Sequence, residues 1–247
     1  RRGAAYAQAE DTAVINFDTV GTENTWNQNA HDFSAQHIEE LTSMLQLCQE
    51  NGTRLLLISA PKTTLDVVSY ETYFDDYAYF KQLAAEYGAS YYDFNLAKPE
   101  LFENKEPDYH KDFTHMNAAG GHAFSLSMAK FLAMLDAGQD VESLFETPSE
   151  YLAAVNYITN VYLTPEVHPD KILLLAGSYH GPSVQAEYEF WVKAPGESEY
   201  SRVSAYSTRS WTEYAAAEHG TYQFRVNARI VGSSADFERY YECSVDF

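Results

Sequence analysis

Hydrophobic residues in the first half of the chain recur at two spacings, one typical of helices and one typical of buried strands. Three stretches carry apolar residues three or four positions apart, the spacing of one helix face, and they cover residues 32–50, 73–87 and 124–135. Two short apolar runs, at residues 55–58 and 89–94, predict strands, the first of them buried on both faces. The order helix, strand, helix, strand, loop, helix predicts a parallel sheet with helices on both faces.

The pattern changes in the second half of the chain. Short segments rich in β-branched and aromatic residues alternate with turns that contain Pro, Gly and Ser, and they cover residues 161–167, 171–176, 187–193, 202–206, 221–230 and 240–246. This spacing predicts a β-sandwich. The chain is therefore expected to comprise an α/β domain at residues 1–137, a polar connector at 138–158 and an all-β domain at 159–247.

The strongest candidate for chemistry lies at the start of the third predicted helix. Asp112 precedes His115 by three residues, a spacing that lets the carboxylate turn back and accept the Nδ1–H of the imidazole. The Nε2 atom is then free to take a proton from a nucleophile. Asn117 is placed to cap the helix that follows, because its side-chain oxygen can accept an orphan backbone N–H. The motif predicts a catalytic base on a rigid mount.

Two other interpretations of this motif remain open. In the first, Asp112 is a turn or capping residue and His115 is a surface histidine. In the second, Asp108, His110, Asp112 and His115 bind a metal ion, although their spacing matches no compact zinc signature and no cysteine joins them. We therefore predict no metal and no cofactor.

The position of the motif favours the catalytic interpretation. In parallel sheets covered by helices, ligands bind beyond the carboxyl ends of the strands. Ser59 and Asn95 each follow a predicted strand, and the segment that contains Asp112 follows the second strand. We expect all three to lie at one edge of the sheet.

Residues 31–136 resemble the carboxyl-terminal half of SGNH/GDSL-type hydrolases, especially the bacterial surface branch that includes carbohydrate O-acetyltransferase-like and D-alanyl-transfer-like proteins. The matching sequences are the helix end Cys48-x-Glu50-Asn51-Gly52, the strand at 55–58, the segment at 93–96 and the motif at 112–120. The resemblance implies a flavodoxin-like parallel sheet, a serine esterase or acyltransferase activity, and the roles of catalytic pair for His115 and Asp112.

The family's nucleophile block, a serine in a Gly-Asp-Ser-like sequence, has no clear counterpart here. Thr19 is a degenerate candidate, and Ser59 is expected to line the pocket or to cap a turn rather than to attack. The predicted sheet is also incomplete, because two clear strands fall short of the roughly five that such sheets contain. We expect either a preceding segment that supplies the first strands and the nucleophile, or a degenerate member that binds without cutting.

Residues 160–247 resemble the triple-tyrosine β-sandwich domains, which are Ig-like, at the ends of bacterial surface proteins. The matching features are the aromatic strand at 187–193, Tyr206 with Trp211, the strand at 220–226, and the turn at 232–234 before Tyr240. For these aromatic residues, packing in the core and between strands is the simpler role.

The composition of the chain limits the classes of molecule that it is expected to bind. The formal charge of −20 repels phosphate backbones and anionic lipid, so nucleic acid is not an expected partner. The sequence contains no apolar run of the roughly 18 residues that a membrane span needs, so membrane insertion is not expected either. Two cysteines, many tyrosines and strong acidity are typical of a secreted or cell-surface bacterial protein.

Two functions follow as expectations. The first is an extracytoplasmic esterase or O-acyltransferase that acts on acylated carbohydrate or a cell-envelope polymer, with His115 as the base and Asp112 as its orienting group. The second is a non-catalytic surface module for binding or adhesion. A flat platform of exposed aromatic rings would favour the second, and a cleft that holds His115 would favour the first.

Overall fold

The computed structural model describes residues 33–70, 72–110 and 114–247. The described residues form two compact units, and the division falls between Tyr151 and Leu152. This boundary lies inside the segment that the sequence marks as a polar connector. Each unit has its own sheets and its own hydrophobic core.

The first unit contains helices and a small parallel sheet. In chain order its elements are α1 (Ala35–Glu50), β1 (Leu56–Ser59), α2 (Thr64–Ser69), α3 (Tyr73–Glu86), β2 (Ser90–Asp93), α4 (Ala118–Asp136) and α5 (Pro148–Ala154), and α5 continues into the second unit. The helical spacing correctly predicted α1, α3 and α4. The short α2 was not predicted, because six residues are too few to show a helical period.

Strands β1 and β2 pair in parallel, with Ser59 opposite Asp93. Their side chains alternate between the two faces of the sheet. On one face, Ile58 joins a core of Tyr92 and Phe131, the latter from α4. On the other face, Tyr91 contacts Tyr77 and Phe80 of α3. The predicted parallel sheet with helices on both faces is therefore confirmed in its coarse form.

Strand β1 differs from the prediction in its burial. All four of its side chains are only half-buried, although the continuous apolar run predicts full burial on both faces. Among the described residues β1 pairs only with β2, so no flanking strand shields its other edge.

Aromatic rings dominate the core of the first unit. Phe94 lies against Phe124, Phe131 and Phe145 in edge-to-face geometry, with centroids 5.2–5.4 Å apart. Such pairs contribute roughly 0.5–1.5 kcal/mol each beyond the area that they bury. Because Phe94 directly follows β2, this packing fixes the chain at the end of the strand.

The second unit contains two antiparallel sheets. Its strands are β3 (Ile158–His168), β4 (Lys171–His180), β5 (Ala186–Lys193), β6 (Ser201–Ser207), β7 (Trp211–Tyr214), β8 (Thr221–Ile230) and β9 (Arg239–Asp246). They form the orders β3-β4-β7 and β6-β5-β8-β9, and inward side chains from both sheets share one core. The six predicted strands are confirmed, whereas the four-residue β7 was missed because it is too short for a clear alternation.

Within the described ranges, every helix is too short or too polar to cross a lipid bilayer.

Candidate functional site

The candidate site lies at the carboxyl ends of the two parallel strands. Ser59 is the last residue of β1 and Asp93 is the last residue of β2, and the two are register partners. Asn95 follows in a short 3₁₀ turn. The expectation that Ser59 and Asn95 lie at one edge of the sheet is therefore confirmed. Ligands bind at this edge in sheets of this kind.

Asn95 connects the loops that follow the two strands. Its side-chain oxygen accepts the backbone N–H of Lys62 at 2.7 Å, and its Nδ2 lies 3.2 Å from the backbone oxygen of Ala60. The same nitrogen contacts the Tyr73 hydroxyl at 2.7 Å and Asp93 Oδ1 at 2.8 Å. Asn95 is 4% exposed. A buried amide with these partners fixes the relative positions of the two loops.

Asp93 is the second buried member of this network. Its carboxylate accepts hydrogen bonds from the backbone N–H of Asn95 at 2.9 Å and from the Tyr73 hydroxyl at 2.8 Å. Burial raises the pKa of Asp93 above its ordinary value, while these hydrogen bonds and nearby Lys62 act in the opposite direction. The carboxylate therefore serves the network as a hydrogen-bond acceptor.

A pair of hydroxyl groups lies beside this network. Ser59 Oγ and the Tyr91 hydroxyl are 2.7 Å apart. Burial raises the pKa of Tyr91, and the charge of Asp93 raises it further, so the phenol is neutral at physiological pH. A neutral phenol is no general base for a serine hydroxyl. Ser59 therefore lacks the activation that a nucleophile needs from this neighbour.

The hydroxyl pair and the network border a cavity of about 330 Å³. Its lining combines hydroxyl groups, aromatic rings and two charged side chains, from Ser59, Ala60, Pro61, Lys62, Tyr70, Tyr73, Asp76, Tyr77, Phe80, Tyr91, Asn95 and Thr114. Its volume lies at the lower end of the range of about 300–1,000 Å³ that is usual for small-molecule sites. Ser59 thus lines a pocket, as the sequence predicted.

The loop that carries His115 is fixed by backbone hydrogen bonds. Tyr109 and Met116 form an antiparallel bridge, and the N–H of His110 donates to the oxygen of His115 at 2.8 Å. Asn117 caps α4, because its side-chain oxygen accepts the N–H groups of Ala119 and Gly120 at 3.0 and 3.1 Å. This confirms the predicted cap and supplies the rigid mount that the motif requires.

Gly120 allows the loop to pack closely on the first turn of α4. A Cβ atom at this position would overlap the backbone oxygen of Asp108, which also accepts the N–H of Asn117 at 2.8 Å. The turn near Asp108 therefore lies directly against the helix only because residue 120 has no side chain.

We expect Gly120→Ala to destabilise the first unit by about 1–3 kcal/mol, because the added methyl displaces a backbone segment. Gly121→Ala is the matched control, since a Cβ there meets no atom within 4 Å and alanine favours a helix. Urea unfolding of both variants measures the difference. Equal stability of the two variants would contradict the close packing at Asp108.

His115 is exposed, and its Nδ1 lies 3.1 Å from the hydroxyl of Thr114. Thr114 lines the cavity, so it links the histidine loop to the pocket. Asp112 and Thr19 lie outside the described residues. The contact between Asp112 and His115 therefore stays a prediction.

Across residues 33–70, 72–110 and 114–247, no group of three His, Cys, Asp or Glu side chains is arranged to hold a metal ion. Asp108, His110 and His115, three residues of the metal interpretation, lie within these ranges. They therefore form no such group with their described neighbours.

Sequence reasoning missed Tyr73, Tyr91 and Thr114, which line the pocket, and the buried Asp93 behind them. Tyr73 belongs to the α3 stretch that shows helical spacing, so it is expected in the core, and Tyr91 fits an ordinary aromatic strand. The one local signal is Asp93 two residues before Asn95 at a strand end, a spacing typical of an Asx turn.

Two comparisons with known proteins give no match. A scan against protein-family models finds none for this chain, and a search of curated proteins finds no significant relative. The function is therefore inferred from the fold and the site alone.

Proposed function

We propose that the first unit is an SGNH-hydrolase-like domain and that the protein is an extracytoplasmic bacterial esterase or O-acyltransferase. Its substrate would be an acylated carbohydrate or a cell-envelope polymer. The observation that carries the proposal is the position of His115 on a fixed loop, next to a residue that lines the cavity at the carboxyl ends of β1 and β2.

In the proposed reaction His115 acts first as a general base. A nucleophilic hydroxyl gives its proton to Nε2 while its oxygen bonds to the acyl carbon of the substrate. The ester C–O bond then breaks, and His115 returns the proton to the leaving sugar oxygen. Water or an acceptor hydroxyl repeats these steps to release the acyl group. Asp112 would orient the imidazole and stabilise its charged form.

We place the nucleophile in a part of the protein other than the described residues. Ser59 is the hydroxyl at the end of β1, but its partner Tyr91 is neutral and cannot activate it. Among the described residues only β2 flanks β1, and the half-buried side chains of β1 support a further strand at its other edge. A nucleophile at the carboxyl end of such a strand would lie at the same edge.

The second unit fits a triple-tyrosine, Ig-like sandwich in this proposal. The alternative of a binding module without catalysis would use the aromatic rings on the outer face of its larger sheet. Tyr200, Tyr206 and Tyr240 instead face the guanidinium groups of Arg225 and Arg229, at 3.9–5.1 Å from the ring centroids. An arginine lies against each of these rings, which leaves less uncovered aromatic surface for the alternative, while Tyr240 and Trp211 are 38% and 43% exposed.

A fluorophosphonate probe tests the proposal, because it forms a covalent adduct only with an activated hydroxyl nucleophile. The protein at its natural length is treated with the probe, and its intact mass is compared with that of a His115→Ala variant and of heat-denatured protein. We expect one adduct on the native protein and little or none on the other two. No adduct on the native protein, or equal labelling of the variant, would contradict the proposed chemistry.

A further inference from the structure

The hydroxyl groups of Ser59 and Tyr91 together carry one proton that their mutual hydrogen bond does not use. Two hydroxyl groups carry two protons, and their mutual hydrogen bond at 2.7 Å consumes one of them. Within the described residues, neither oxygen makes another hydrogen bond to the protein. Because both residues line the cavity, the second proton is available to a ligand acceptor there.

The polar groups behind this pair already have their hydrogen-bond partners within the protein. Tyr73 donates to Asp93 and also contacts Asn95, which in turn holds the loop after β1. Burial raises the pKa of Tyr73, so this phenol also remains protonated. These groups have their partners inside the protein, and the pair of Ser59 and Tyr91 remains as a preformed donor.

The charges of the cavity favour an uncharged ligand. Lys62, its cation, forms an ion pair with Asp66 at 2.8 Å. Asp76 also lines the cavity, and the buried Asp93 lies behind it. An anionic ligand would therefore meet carboxylates and a cation that is already neutralised, within a chain whose formal charge is −20.

We propose that this cavity binds one ring of a neutral carbohydrate and that the pair of Ser59 and Tyr91 donates a hydrogen bond to a ligand oxygen. The rings of Tyr77 and Phe80 supply an apolar surface for the sugar C–H groups, and the volume of about 330 Å³ suits one ring. This inference rests on the proposed function and narrows its substrate, because it excludes polyanionic envelope polymers.

Calorimetric titration of the full chain tests the inference. The probes are three neutral disaccharides, namely cellobiose, mannobiose and N,N′-diacetylchitobiose, and one acidic disaccharide, digalacturonic acid. We expect at least one neutral probe to bind and the acidic probe to bind at least about tenfold more weakly. Absence of binding by all three neutral probes, or tighter binding of the acidic one, would overturn the inference.

Variants locate the binding at the hydroxyl pair. Tyr91→Phe and Ser59→Ala each leave one hydroxyl with its proton, so each should weaken binding less than the double variant, which should weaken it about tenfold. Tyr87→Phe is the control, because Tyr87 directly follows α3 and does not line this cavity. Urea unfolding curves show whether each variant folds. If the double variant does not fold, the affinities of the two single variants are compared with the wild type instead. Binding by the folded variants at wild-type strength would overturn the inference.

His115→Ala separates this inference from the proposed function. We expect the variant to bind the neutral probe like the wild type but to release no acyl groups from an acetylated form of it. If substitutions at Ser59 and Tyr91 weaken sugar binding but the wild type releases no acyl groups, only the proposed chemistry is refuted. If the wild type releases acyl groups but the substitutions at Ser59 and Tyr91 leave sugar binding unchanged, only the proposed sugar site is refuted.

Discussion

Replacement of His115 by alanine is expected to lower kcat/KM for ester hydrolysis by about 10²- to 10⁴-fold, the usual contribution of a positioned general base. The reason is that the hydroxyl nucleophile then has no group to take its proton as it attacks. Release of acetate from acetylated oligosaccharides by the protein at its natural length measures the effect. The loop should keep its shape, because its fixed contacts come from backbone groups and from Asn117.

Two controls make this experiment specific. His168→Ala removes another exposed histidine, on β3 of the second unit, and should leave the rate unchanged. Added imidazole should restore part of the activity of His115→Ala, because it replaces the missing base but repairs no fold. A variant with wild-type activity, or one that imidazole does not rescue, would argue against His115 as the base.

Replacement of Asn95 by alanine is expected to give the largest loss of stability, about 3 kcal/mol. The substitution removes the acceptor of the Lys62 N–H and the donor to the backbone oxygen of Ala60, and it takes one partner from the buried Asp93. Each buried polar group that loses its partner costs roughly 1–3 kcal/mol, although relaxation of the loops recovers part of this. The free energy of unfolding in urea measures the loss.

Asn51→Ala provides the matched comparison. Asn51 also makes a side-chain hydrogen bond, to the backbone oxygen of Leu47, but it is exposed at the end of α1. We expect a change within about 0.5 kcal/mol there, as for most surface substitutions. Similar losses in the two variants would mean that the network around Asn95 does not hold the two loops together.

The architecture of each unit could largely be predicted because it depends on local periodicity. Helices α1, α3 and α4 follow from apolar residues at helical spacing, and the long strands β5 and β8 follow from alternation. Elements too short to show a period, such as α2 and β7, were missed. The burial of β1 was overestimated, since an apolar run does not reveal how many strands will flank it.

The residues of the site also fall into those that the sequence predicted and those that it did not. The capping role of Asn117 was predicted because the residue and the N–H groups that it receives lie within three positions of each other. The same stretch named His115 as the base, and that role remains a prediction to be tested by kinetics. No local pattern marked Tyr73 or Tyr91, because an aromatic residue on a helix or strand most often belongs to the core.

The sequence by itself determined most of the helices and strands and the capped loop that carries His115, because each depends on residues only a few positions apart. Only the tertiary structure brought Ser59 to Tyr91 and Tyr73 to Asp93, pairs that are 32 and 20 positions apart. Pairing of β1 with β2 in parallel register brings Ser59, Tyr91 and Asp93 together, and the packing of α3 against β2 adds Tyr73. A pattern read along the chain does not encode that register, so the pocket emerges only when the strands are paired.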